Sequence, residues 1–188
     1  MRVERLQQEY DIEVEWRGLE IHPELPRQGV SRRVFLGERF GQADAHLLGI
    51  AAQEALRFVL PEVISNSHAA LEASELARDK GVFPVFHHRV FEAYFQEGQN
   101  ISDPLVLAAL GEEAGLDPAE LEAALAGQCY EGRLAQSQRE AQDLFITGVP
   151  TFIIGGQRVV GAQPYAVLCR AVELAGAARG RPQGEVTG

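Results

Sequence analysis

The polar and apolar positions change period twice along the chain, and each change marks a boundary between kinds of structure. Val3, Leu6 and Tyr10 fall at helical spacing, which predicts a helix from Arg2 to Tyr10. Ile12-Glu13-Val14-Glu15-Trp16 alternates strictly, which predicts a half-buried strand continuing to about Ile21. His22-Pro23-Glu24-Leu25-Pro26 ends it, because proline has no N–H to give to a ladder. From Ser31 the period is helical for about a hundred residues. Ser31 can cap a short helix through Phe40, and a second runs from about Ala43 to Leu56, with an apolar loop over 57–65. A third is capped by Asn66 or Ser67 and closed at Gly81. The fourth is rich in aromatics from Phe83 to Phe95 and stops at Gly98. Asp103-Pro104 and Asp117-Pro118 repeat one start signal, an acidic cap followed by a residue that needs no N–H, and Gly115 and Gly127 close those helices. A longer helix is predicted from about Tyr130 to Phe145.

After Pro150 the period returns to two. Thr151-Phe152-Ile153-Ile154 and Gln157-Arg158-Val159-Val160 flank Gly155-Gly156, which predicts a β-hairpin. Gln163-Pro164 opens a last helix with Val167, Leu168, Val172 and Leu174 expected inward, and the chain from Ala177 reads as a loose tail.

The 188 residues, 46% hydrophobic and 23% charged, fit one globular domain with a real core, or one domain with a sizeable insertion. No apolar run approaches the roughly 20 residues of a membrane span, and the charged N-terminus has no apolar signal core. A net charge of −10 argues against nucleic acid, whose phosphates need a basic face. The reading is a cytoplasmic protein with no membrane and no nucleic-acid partner, and with no cofactor. Cys129 and Cys169 stand forty positions apart in helical, apolar surroundings. They form no disulfide framework, zinc spacing or redox pair, and are expected to be small buried hydrophobes. His22, His46, His68, His87 and His88 show no compact metal-ligand spacing, because the adjacent His87 and His88 diverge on a helix. No metal site is expected. The acidic pairs Glu112-Glu113 and Glu120-Glu122 read as solvated helix faces.

Several short runs, in order, carry a family likeness: Glu13-Val14-Glu15-Trp16 with Glu20-Ile21-His22-Pro23-Glu24, then Ile64-Ser65-Asn66-Ser67, Phe91-Glu92-Ala93-Tyr94-Phe95, Ile146-Thr147-Gly148-Val149-Pro150-Thr151-Phe152, and Val160-Gly161-Ala162-Gln163-Pro164-Tyr165. From Glu4 to about Leu174 the chain resembles the DsbA-like thioredoxin family, specifically its FrnE-like branch of cytosolic dithiol–disulfide oxidoreductases. The resemblance implies an α/β fold, a thioredoxin-like core with a large all-helical insertion. The core would take residues 1–30 and 131–176, the insertion 31–130, and a flexible tail 177–188. It implies a cis-proline loop at Gly148, Val149, Pro150 and Thr151 as the substrate-binding site, with the Val149 backbone facing an extended substrate segment.

In such proteins a Cys-x-x-C sits at the N-terminus of the helix that here begins near Met1. There the free N–H groups and the helix dipole lower a thiol pKa and supply the attacking thiolate. This chain holds no Cys-x-x-C, so no catalytic residue is assigned within it. The motif and the first core strand are expected upstream of Met1, and the chain alone is expected to be inactive. The implied partners are protein or small thiol and disulfide substrates, with a homodimer possible. Two alternatives stand beside this reading. One is a glutathione-dependent transferase or isomerase of the kappa and hydroxychromene-carboxylate type, which tends to carry an Asp-Arg pair where this chain has Ala162-Gln163-Pro164. The other is a non-catalytic peptide-binding module using the Val149 loop.

Overall fold

The computed structural model describes residues 2–53 and 56–180, and of Ala43, His46, Ile50 and Gln53 only the backbone. The chain divides into two compact units, one of residues 1–21 with 140–188, the other of residues 22–139.

The first unit is built on a hairpin. Strand β3 (Thr151–Ile154) pairs antiparallel with β4 (Gln157–Val160), Thr151 opposite Val160 and Ile154 opposite Gln157. The Gly155-Gly156 turn has φ of 54° and 81°, the left-handed pair that a two-residue hairpin needs and that side-chain-bearing residues resist. One face of the hairpin, with Phe152, Ile154 and Val159, packs on Leu6 and Tyr10 of helix α1 (Arg2–Glu9) and its end, and on Leu168 and Val172 of helix α9 (Tyr165–Leu174). Tyr10 is fully buried, and its hydroxyl donates to Glu173 at 2.6 Å. That bond, with burial, pushes the phenol up to about 12. On α9, Leu168 and Val172 are buried as expected, but Val167 and Leu174 face out, 40% and 63% exposed, because a single stripe of the helix meets the hairpin.

Two expectations for this unit change. Residues 12–21 form no strand. Burial still alternates from Asp11 to Glu15, but no neighbour among the described residues supplies a ladder, and a strand exists only through its pairing. Residues 177–180, expected as the start of the tail, instead dock on the end of α1. Asp11 N donates to Ala178 O, Gly180 N donates to Glu9 O, and Tyr10 and Arg179 form an antiparallel bridge. The rest of the expected tail, residues 181–188, lies outside the described residues.

The second unit is helical. Helices α4 (His68–Asp79), α5 (Phe83–Phe95), α6 (Pro104–Glu113) and α7 (Pro118–Ala126) share one core that includes Ala73, Ala77, Phe86, Leu107, Leu110 and Leu121. The repeated cap works as predicted. Asp103 accepts from Leu105 N, and Asp117 accepts from both Ala119 N and Glu120 N. Helices α6 and α7 approach so closely that a Cβ on Gly111 would meet Leu121 Cδ2 at 2.7 Å.

Before this bundle the expected short helix divides. Helix α2 (Arg32–Leu36) stops at Gly37, a 3-10 turn follows, and α3 (Phe40–Gln53) begins there, earlier than Ala43. Part of the expected loop becomes a two-residue ladder, β1 (Val30–Ser31) against β2 (Val63–Ile64). Helix α8 (Glu131–Asp143) begins in the second unit and ends in the first.

Candidate substrate-binding loop

The Gly148-Val149-Pro150-Thr151 run lies between the end of α8 and the start of β3, and the Val149–Pro150 peptide is cis. Its neighbours fix it from both sides. Thr151 Oγ1 donates to Gly148 O at 2.7 Å, closing the loop on itself. Gly161 N donates to Pro150 O at 2.8 Å, which extends the hairpin contact past Val160. Arg2 Nη1 donates to Ala162 O and Gln163 O at 3.0 and 2.7 Å, tying the residues after β4 to the start of α1. Upstream, Arg158 Nη1 donates to Leu144 O and Phe145 O at 2.9 and 2.8 Å, two carbonyls that the end of α8 leaves without helical partners.

Within this frame Val149 stands apart. Its side chain is 54% exposed, and neither its N–H nor its C=O makes a hydrogen bond among the described residues. A backbone donor and acceptor held open on a braced loop can receive an extended chain by strand-like pairing. Sequence reasoning picked out the loop from its own residues. It passed over Arg2, Arg158 and Phe145, because an arginine in a helix pattern or on an alternating strand carries no signal of which distant carbonyl it will reach.

The other motifs resolve into scaffold. In Ile64-Ser65-Asn66-Ser67, Ser65 Oγ donates to Asn100 Oδ1, Asn66 Nδ2 donates to Leu25 O, and Asn66 Oδ1 caps α4 by accepting from His68 N. Asn66, not Ser67, is therefore the side-chain cap, since Ser67 makes no capping bond. Tyr94, in the Phe91–Phe95 run, donates to Val63 O at 3.4 Å, while Phe91 is half exposed. The histidines have local partners. His22 meets Glu24 at 2.9 Å, His68 meets Glu131 at 2.9 Å, and His88 meets Glu92 at 3.3 Å. His87 stacks between Phe83 and Phe91, where burial lowers its pKa. The side chain of His46 lies outside the described residues. No three His, Cys, Asp or Glu side chains among the described residues are grouped to hold a metal.

Cys169 is half-buried beside the Leu6, Tyr10 and Leu168 cluster, but Cys129 is exposed, contrary to expectation. It falls in the turn between α7 and α8, where no second apolar layer covers it. Neither cysteine is in a disulfide. The second unit also carries an open groove of about 510 Å³ beside Phe40, Leu60 and Pro61, and the Arg32 guanidinium in its wall is committed to Asp44 at 2.5 Å. Among the described residues no helix is long and apolar enough to cross a membrane.

Comparison with known proteins agrees with this architecture. The chain is 32% identical over 169 residues to the uncharacterized protein YwbO of Bacillus subtilis (strain 168), covering 86% of this chain and 82% of that protein. A crystal structure of a probable DsbA oxidoreductase, SCO1869 from Streptomyces coelicolor, superposes with a TM-score of 0.76 at 27% identity, over 85% of this chain and 73% of the other. A 2-hydroxychromene-2-carboxylate isomerase superposes with a TM-score of 0.69 at 19% identity, over 93% of this chain and 85% of that one, a likeness of fold alone. The model of the DSBA-like thioredoxin domain matches residues 1–173. With an α/β thioredoxin-like fold carrying a large helical insertion and a match over nearly its whole length, the chain belongs to the DSBA-like thioredoxin domain family.

Proposed function

We propose that this chain carries the substrate-binding part of a thiol–disulfide oxidoreductase of the FrnE-like branch, working in the cytoplasm on protein or small disulfide substrates. The observation that carries the reading is Val149, whose side chain is exposed and whose N–H and C=O make no hydrogen bond among the described residues, in the loop with the cis Val149–Pro150 peptide. The likeness to the structure of a probable DsbA oxidoreductase supports the same class of reaction.

On this reading the redox-active Cys-x-x-C is supplied by a segment preceding Met1. A thiolate there attacks one sulfur of the substrate disulfide, that S–S bond breaks, and the other substrate sulfur leaves as a thiolate. The second cysteine of the pair then attacks the mixed disulfide, so the substrate ends reduced and the pair ends oxidised. Oxidation of a dithiol substrate is the reverse sequence. Val149 contributes by holding the segment that bears the substrate sulfur in extended form against its own backbone, which spares the orientational cost of the exchange.

Two features count against the glutathione-dependent alternative. The chain has Ala162-Gln163-Pro164 where an Asp-Arg pair would bind the charged tripeptide. The groups at that point are also committed, since the carbonyls of Ala162 and Gln163 accept from Arg2 and Gln163 Nε2 donates to Val160 O.

The test compares this 188-residue chain with one extended upstream through the next in-frame Cys-x-x-C. The extended protein is expected to reduce insulin disulfides, and the shorter chain to stay at background, because Cys129 and Cys169 are forty positions apart in sequence and unbridged. Turnover by the shorter chain that disappears in Cys129→Ser or Cys169→Ser overturns the reading. An upstream serine in place of the first cysteine, with glutathione-dependent turnover, establishes the isomerase or transferase class instead.

A further inference from the structure

Helix α1 is tied to the rest of its unit by two different means. Its later part is held by packing, with Leu6 and the following Tyr10 against Leu168 and Val172 and with Phe152 and Ile154 alongside. In its first turn a polar side chain reaches across instead. The half-buried Arg2 donates through Nη1 to Ala162 O at 3.0 Å and to Gln163 O at 2.7 Å, over 160 positions of sequence in the first case.

The turn that Arg2 grips is closed on itself and on the substrate loop. Gln163 Nε2 donates to Val160 O, and Gln163 N donates to Gly161 O, both at 2.8 Å. Gly161 N donates to Pro150 O at 2.8 Å. An unbroken path of hydrogen bonds and single residues thus runs from the first turn of α1, through the 161–163 turn, to the residue next to Val149. On the proposed function the reacting thiolate enters from a segment joined to the first turn of α1, and the substrate is held at Val149. In the exchange the attacking sulfur bonds to one substrate sulfur while the other leaves in line with the electron pair of the broken S–S bond. The rate therefore depends on the placement of the thiol relative to the Val149 backbone, where an error of about 1 Å costs on the order of 100-fold.

We propose that Arg2 is a positioning residue. It sets where the reacting thiol stands relative to the backbone of Val149, and so favours disulfides carried on an extended polypeptide over small disulfides that do not use the loop. This rests on the reading of Val149 as the substrate-pairing residue.

The test uses the reduced form of the chain extended upstream through its Cys-x-x-C, with Arg2→Met and Arg2→Lys beside the parent, each assayed well below its melting temperature. Three substrates are compared: an extended peptide carrying a mixed disulfide with thionitrobenzoate, the same peptide N-methylated at the residue that pairs with Val149, and the small bis(nitrobenzoate) disulfide. Arg2→Met is expected to slow the peptide about 10-fold in kcat with KM within about 2-fold, and to leave the small disulfide within about 2-fold. N-methylation is expected to slow the parent about 10-fold and Arg2→Met much less, because both changes disrupt one arrangement. Arg2→Lys, whose ammonium still donates to carbonyls, is expected to recover part of the loss. The pH profile of thiol alkylation is expected to be the same in Arg2→Met and the parent. Equal slowing of the peptide and the small disulfide, or a shifted alkylation profile, makes Arg2 a support of the fold or of the thiolate and overturns the proposal. If N-methylation slows the parent and Arg2→Met alike, or Arg2→Met matches the parent throughout, the positioning role is refuted and the Val149 reading survives. If N-methylation leaves the parent unchanged, pairing at Val149 fails and the role of Arg2 fails with it. A parent that reduces none of the three overturns both.

Discussion

Replacing Arg158 by methionine tests whether the proline loop is braced as its hydrogen bonds imply. Methionine keeps an unbranched, apolar side chain on β4 and deletes the guanidinium that holds Leu144 O and Phe145 O at 2.9 and 2.8 Å. Arg158 is exposed, so each of the two bonds contributes toward the low end of the usual range, about 0.5–1 kcal/mol, a figure that already includes the attraction of a cation for a helix C-terminus. The loss is about 1–2 kcal/mol. At roughly 2–4 °C per kcal/mol for a chain of this size, the melting temperature should fall by about 2–8 °C. The sharper reading comes from hydrogen exchange. The amides of Phe145 and Ile146, bonded to Gln142 O and Ala141 O, should exchange about 5–30-fold faster, while Ala171 and Val172 on α9 keep their protection. Arg170→Met is the control, an exposed arginine on α9 with no ion pair among the described residues. Unchanged exchange at residues 145 and 146 would refute the reasoning, as would an equal effect from Arg170→Met.

Two further predictions concern the helical unit. Leu107→Ala, at a fully buried position, should cost about 2–5 kcal/mol, while Leu105→Ala, 80% exposed on the same helix, should stay within about 0.5 kcal/mol; equal thermal shifts for the two would contradict the placement of the core. The Glu72 carboxyl is raised above its usual value of 4.5 by burial, against the opposing bond from Tyr130 N and the charge of His68, so the native state holds this proton more tightly than the unfolded chain. Stability from that proton is fully present below pH 4.5 and is lost as pH rises through the folded value. Glu72→Gln should therefore melt higher relative to the parent at pH 7 than at pH 5, and a difference constant across that range would rule the linkage out.

Local rules carried the sequence reading where a few neighbouring residues decide the outcome. Asp103-Pro104 and Asp117-Pro118 cap their helices as read, because an acidic side chain and a missing N–H act within one turn. The Gly155-Gly156 hairpin and the helical spacing of Leu6 with Tyr10 are equally local, and the Gly148-Val149-Pro150-Thr151 loop was visible as a motif. The tertiary structure decided everything that needed a distant partner. The alternation is present as half-burial of Ile12 and Val14 between exposed neighbours, though not as far as Trp16, yet it makes no strand, because hydrogen bonds come from a neighbour and not from the pattern. Cys129 looked buried among apolar residues but sits in an uncovered turn, since burial is a property of what packs above a residue. The braces on the loop, Arg2 to Ala162 and Arg158 to Leu144, span 160 and 14 positions, and no sequence period records such reach. Phe145 falls in the same class. Its identity was plain in the chain, but only the folded backbone revealed that a phenylalanine occupies a glycine's conformation with its ring turned to solvent.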